Sequence, residues 1–166
     1  MSLVVSYQET WPDDFQKIRG YILTRLRTFH AIEHIGSTSI PGMVAKPIID
    51  LIVIVPEGQM RRVIEELAQL EYRHQGDLGI NGREAFDYLP PHIDLPRHHL
   101  YAAYASQPQV EGSLAFRDFM RANPAWRQRL SELKLTLDRQ HASDRRKYME
   151  GKKALVEEII ALARKS

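Results

Sequence analysis

The residues whose types and spacing could do chemistry are a carboxylate, a small polar turn, two lysines and a histidine pair. Asp50 is the only charge in the apolar run Ile48 to Val55, and it stands near the start of that run. The turn Gly36-Ser37-Thr38-Ser39 precedes it, with Lys46-Pro47 between them. An isolated buried carboxylate costs several kcal/mol or becomes protonated, so Asp50 is either paired or functional. Pairing would use Lys46, Arg83 or Arg97. Function would make it a carboxylate holding a divalent cation against phosphate oxygens, while the Gly36-Ser37 turn offers backbone amides and a hydroxyl to the same phosphates.

Lys134 and Lys152 keep apolar company. Lys134 runs beside the stripe Trp126, Leu130, Leu133 and Leu137, and Lys152 shares a stripe with Tyr148, Leu155, Ile159 and Leu162. Either lysine alone reads as a snorkelling side chain, its stem covering apolar surface while the ammonium reaches water. Together they describe a cationic lining for an anion held between a helical half and a sheet. His98 and His99 open a strand and so point to opposite faces, which lets only one join a given site. A zinc site would need further ligands from His34, His92 or Asp94, and a satisfied histidine or a phosphate donor is the simpler reading. Arg145-Arg146-Lys147 reads as a solvated helix face.

Alternating elements must position these residues. Thr10, with Pro12, Asp13 and Asp14 after it, marks a capped helix to about Arg27, with Trp11, Phe15, Ile18, Ile22 and Leu26 on one face. Ala31 to Ile35 reads as a short strand, and Ile48 to Val55 as an interior strand apolar on both faces. An amphipathic helix follows from about Gln59 to Leu70. Residues 71 to 96 are rich in glycine, proline and polar groups, with strands expected at Arg83 to Leu89 and His99 to Tyr104. Helices at Ser113 to Ala122, after Asn123-Pro124, and from Ser143-Asp144 to about Arg164 complete an α/β part, 1–104, and a helical part, 105–166.

The 166 residues suit one domain, and 43% hydrophobic with 27% charged residues is a globular composition. A net charge of +2 and the absence of an aromatic-interleaved basic patch disfavour a nucleic-acid partner. With no cysteine there is no disulfide or thiolate chemistry, and the chain shows neither a signal peptide nor a membrane-length apolar run. The expected location is cytoplasmic. No Walker-type phosphate loop, dinucleotide glycine fingerprint or serine-nucleophile elbow is present.

Residues Ile32 to Gly42, followed by Ala45-Lys46-Pro47-Ile48-Ile49-Asp50, resemble the hallmark of the GrpB-like family of the nucleotidyltransferase superfamily. Gly79-Ile80-Asn81-Gly82-Arg83, His98-His99-Leu100, Phe116-Arg117-Asp118-Phe119, and Leu133-Lys134 with Tyr148 and Lys152 resemble further motifs of that family, in order. The resemblance implies an α+β fold, a nucleotidyltransferase-like mixed sheet with packed helices followed by a C-terminal helical region. It implies a Mg2+-dependent transfer from a nucleoside triphosphate to a small-molecule acceptor. The alternative is a non-catalytic module for a nucleotide, a coenzyme A-related ligand or another phosphate-bearing small molecule. Asp50 becomes the catalytic and metal-binding carboxylate. Phosphate or ligand contacts fall to Gly36, Ser37, Thr38, Ser39, Lys46, Arg83, His98, His99, Arg117, Lys134, Tyr148 and Lys152. The superfamily places a second acid two residues after the first, where this chain has Ile52. Asp94, Asp87 and Glu84 are the candidates for a further carboxylate, with Asp94 assigned to the metal.

Overall fold

A computed structural model describes residues 2–88 and 94–166. Among the described residues five strands form one sheet in the order β1-β2-β5-β4-β3: β1 Ala31–Ile35, β2 Ile49–Val55, β3 Arg73–His74, β4 Arg83–Asp87 and β5 His98–Tyr104. β2 and β5 pair in parallel and every other neighbour is antiparallel. α1 (Trp11–Ile22) and α2 (Met60–Ala68) come from the first half of the chain, and α3 (Pro108–Ala122), α4 (Pro124–His141) and α5 (Arg145–Arg164) from the second. The arrangement agrees with the nucleotidyltransferase-like α+β fold expected.

β2 is apolar on both faces because both are covered. Leu51, Val53 and Val55 pack with Phe15, Ile18 and Ile22 of α1 and Val63 and Leu67 of α2. Ile52 and Ile54 point the other way, into a cluster with Ile35, Ala103 and Val110. Burying each such side chain contributes about 1.5–3 kcal/mol, which fixes the strand's register against both layers. The loop after β1 then drives Ile40 and Met43, both fully buried, among Phe116, Met120, Leu130 and Ile159 of the three C-terminal helices. That insertion joins the sheet half to the helical half.

Several boundaries differ from the sequence expectation for local reasons. α1 stops at Ile22 rather than Arg27, because the Thr24 hydroxyl and the Arg27 guanidinium take the carbonyls of Tyr21 and Leu23. Thr10 stands at the helix start without a side-chain cap. α3 begins at Pro108, five residues before Ser113, and runs through Gly112 because that glycine admits the Arg164 side chain of α5. Asn123 closes α3 through its amide on the Phe119 carbonyl instead of capping α4, whereas Asp144 does cap α5 through the Lys147 amide. The two-residue β3 is too short to show periodicity. Leu89 and His92 lie outside the described residues. No helix among the described residues is long and apolar enough to cross a membrane.

Candidate functional site

The turn between β1 and β2 is built around close contact with Asp50. Gly36 has φ 72° and ψ −176°, a conformation essentially reserved for glycine, and a Cβ there would lie 2.6 Å from Asp50 Oδ2. A single 3-10 turn follows at Ser37–Ser39. His34 Nε2 meets the Thr38 hydroxyl at 2.9 Å, and its ring stacks on Phe15 with centroids 4.8 Å apart. Arg121 of α3 donates to the Ser39 carbonyl at 2.8 Å, and Arg117 donates to the His34 carbonyl and to Glu33. From α4, Ser131 takes the Val44 amide, and Lys134 donates to the Ser37 hydroxyl and the Val44 carbonyl.

Two cavities meet at this corner and share Asp50 and Tyr101 as a wall. The smaller, about 230 Å³, brings Lys46, Lys134, Arg145 and Lys152 together with Ser37, Thr38, His99 and Tyr148. The larger, about 680 Å³, is mostly apolar, walled by Ile35, Ile52, Ile80, Phe116, Val156 and Ile160, with Arg83 at its side. Arg83 lies over the Tyr101 ring at 4.1 Å, and its buried Nε has no hydrogen-bond partner among the described residues.

Crowding of like charge marks the smaller pocket. Burial, then Lys152 and Lys46, push the Lys134 ammonium down to about 7, against a raising pull from Asp50. Burial and Lys46, with a smaller contribution from Arg145, push Lys152 down to about 8 against the same pull. Burial also lowers Lys46. Tyr148 carries Lys46 and Lys152 near its ring, at 5.1 and 5.4 Å from the centroid, and burial pushes its hydroxyl up to about 12.

Of the residues expected at a site, Ser37, Thr38, Lys46, Asp50, His99, Lys134, Tyr148 and Lys152 line the smaller cavity, and Gly36, Asp50 and Arg83 the larger. Others are brought elsewhere. His98 is 2% exposed on the opposite face, its nitrogens taken by the Tyr72 hydroxyl and the Pro96 carbonyl. Arg117 is committed to Glu33 and Asp118. Ser39 turns its hydroxyl back onto the Gly36 carbonyl. The partner of Asp50 is His99, Nδ1 to Oδ1 2.9 Å, rather than Lys46, Arg83 or Arg97.

The carboxylates assigned to a metal do not assemble. Asp94 is exposed and lines neither cavity, Asp87 pairs with Arg73, and Glu84 sits with His74. Ile52 is 2% exposed among apolar neighbours. Among the described residues no group of three or more His, Asp or Glu could hold an ion. One carboxylate facing four cations does not fit a pair of divalent metals.

Arg145, expected on a solvated helix face, lines the smaller cavity as well, and Tyr101 went unread in the sequence. Arg145, Tyr148, Met149 and Lys152 repeat at three, four and seven residues along α5 and share its pocket face. Tyr101 alternates with His99 along β5 and so shares its face.

Residues 3–162 match the family model described as GrpB protein. The chain is 34% identical over 90% of its length to the UPF0157 protein YqkA of Bacillus subtilis. It is 32% identical over 96% of its length to a UPF0157 protein of Pseudomonas aeruginosa. It spans 43% of the first relative and 66% of the second. A third, the Glutamate-rich protein GrpB of Alkalihalophilus pseudofirmus, is 29% identical, with 95% of this chain and 93% of that protein covered. The crystal structure of the conserved protein GrpB from Enterococcus faecalis superposes with a TM-score of 0.83 at 32% identity, covering 96% of both chains. Sequence motifs, sheet topology and a match over nearly all its residues agree: this chain belongs to the GrpB family.

Proposed function

We propose that this protein binds a nucleotide or another phosphate-bearing small molecule, with the phosphates in the cationic pocket and the rest of the ligand in the apolar cleft. The observation that supports the reading is the convergence of Lys46, Lys134, Arg145 and Lys152 on one small cavity whose lining, among the described residues, holds a single acid, Asp50. Lys134 and Lys152 are desolvated and crowded by other cations, which raises their free energy, and an anion between them removes that cost. The adjoining apolar cleft, reached past Tyr101, gives the remainder of such a ligand surface to bury. In this reading the lysines neutralise the phosphates without the help of Mg2+. Of the two activities that the resemblance implies, the geometry favours the phosphate-ligand module over a two-metal transferase.

Calorimetric titration with pyrophosphate and the four ribonucleoside triphosphates, in EDTA, tests the reading. Binding is expected for at least one of them. Lys134→Met and Lys152→Met each weaken it about tenfold or more, since a hydrogen bond to a charged group contributes about 1.5–3 kcal/mol. Absence of heat with every one of these anions removes the proposal.

A further inference from the structure

The two adjacent histidines of β5 differ in what their rings leave free. His98 spends both nitrogens inside the core. His99 stands opposite Asp50 in the parallel register of β2 and β5, so both side chains leave the same face of the sheet. Its Nδ1 meets Asp50 Oδ1 at 2.9 Å, and its Nε2 has no hydrogen-bond partner among the described residues. The ring lines the cationic pocket, with its side chain 41% exposed.

Asp50 meets this imidazole at Oδ1, and its Oδ2 lies so close to Gly36 that not even a methyl group would fit there. A carboxylate on Nδ1 selects the tautomer whose lone pair is on Nε2 and stabilises the imidazolium formed when that nitrogen takes a proton. The cations that would neutralise a phosphate stand across the same pocket.

We infer that Asp50 and His99 form a proton-transfer pair for a metal-independent displacement at phosphorus, His99 Nε2 acting as general base and Asp50 as its positioning residue. The inference rests on the phosphate reading of the pocket. A water or an acceptor hydroxyl attacks the phosphorus of a bound phosphodiester or phosphoanhydride, and its proton passes to Nε2 as the new O–P bond forms. The P–O bond to the leaving group breaks, and that group departs with the bonding pair as an anion beside Lys134 and Lys152. The imidazolium then returns the proton to solvent.

The test is release of 4-nitrophenolate from the 4-nitrophenyl ester of thymidine 5′-monophosphate in EDTA, run beside calorimetric binding of pyrophosphate. Wild type is expected to turn the ester over. His99→Ala lowers kcat about 10²–10⁴-fold, the usual contribution of a general base, with KM and the pyrophosphate Kd nearly unchanged. Added imidazole restores part of the lost rate, which it cannot do for a merely structural side chain. Asp50→Asn lowers kcat as well, because the amide no longer selects the tautomer. No turnover by wild type in EDTA, a wild-type kcat in His99→Ala, or no rescue by imidazole overturns the inference. Absence of binding by wild type of pyrophosphate and of every ribonucleoside triphosphate instead removes the phosphate reading beneath it.

Discussion

At the scale of single residues, the site depends on lysines whose protons are loosely held. Lys134 and Lys152 sit at about 7 and about 8 because they are buried and crowded by other cations. An anion placed among them raises both, so the bound state holds more protons than the free one. Affinity therefore falls as pH rises through 7 to 8 and beyond, and is insensitive to these groups well below 7. Calorimetry with sulfate, whose own charge is constant in this range, should register proton uptake at pH 8 and little at pH 6, in buffers of differing ionisation enthalpy. Lys134→Met should remove most of that uptake. Gly36→Ala tests the other side of the corner: it forces a side chain into a glycine conformation and against Asp50 Oδ2, at about 1–3 kcal/mol in urea unfolding. Asp50, the Gly36-Ser37 turn and the two lysines were legible because each broke a local pattern. The partner of Asp50 was not, because it depends on which residue of β5 lies opposite β2. Arg145 was hidden inside an arginine-lysine run, although its spacing to Tyr148 and Lys152 already put it on their helix face.

The elements around the turn act as its frame. α3 clamps its backbone through Arg117 and Arg121, α4 grips the following loop through Ser131 and Lys134, and His34 braces it from β1. Burial, with Arg121 and Arg117 nearby, pushes His34 down to about 4, so the folded state keeps it neutral where the unfolded chain, near 6.5, takes a proton. More protons on the unfolded state mean that stability rises with pH, so this contribution is lost as pH falls from 6.5 towards 4. The slope from this one group approaches 1.4 kcal/mol per pH unit, and it should vanish in His34→Gln when urea unfolding is followed across that interval. The strands β1 and β2 and the three C-terminal helices were readable from periodicity, whereas the ends were not. α1 is cut short by carbonyls taken by Thr24 and Arg27, and α3 extends through a glycine that only the packing of α5 explains. Arg117, expected at a ligand, is bound to Glu33 across 84 positions of sequence, a contact that no local pattern announces.

The whole molecule brings a sheet and a helical half together, and the cationic pocket lies where they meet. Lys46 and Asp50 come from the sheet side, and Lys134, Arg145 and Lys152 from the helical side. Ile40 and Met43 are the bolt between them. Met43→Ala should cost about 2–5 kcal/mol of unfolding free energy and weaken pyrophosphate binding too, because the same loop carries the carbonyl that holds Lys134. The fold class and most of the pocket could be anticipated from motifs in order along the chain, but the balance of charge could not, since it appears only when the two halves close. That balance is the central claim, and Asp50 decides it. If the pocket binds phosphate through its cations alone, Asp50 is a repelling charge, and at pH 6, where the lysines keep their protons, Asp50→Asn should bind pyrophosphate more tightly than wild type in EDTA, with no tightening on adding Mg2+. Binding that requires Mg2+ and is abolished by Asp50→Asn would contradict the account.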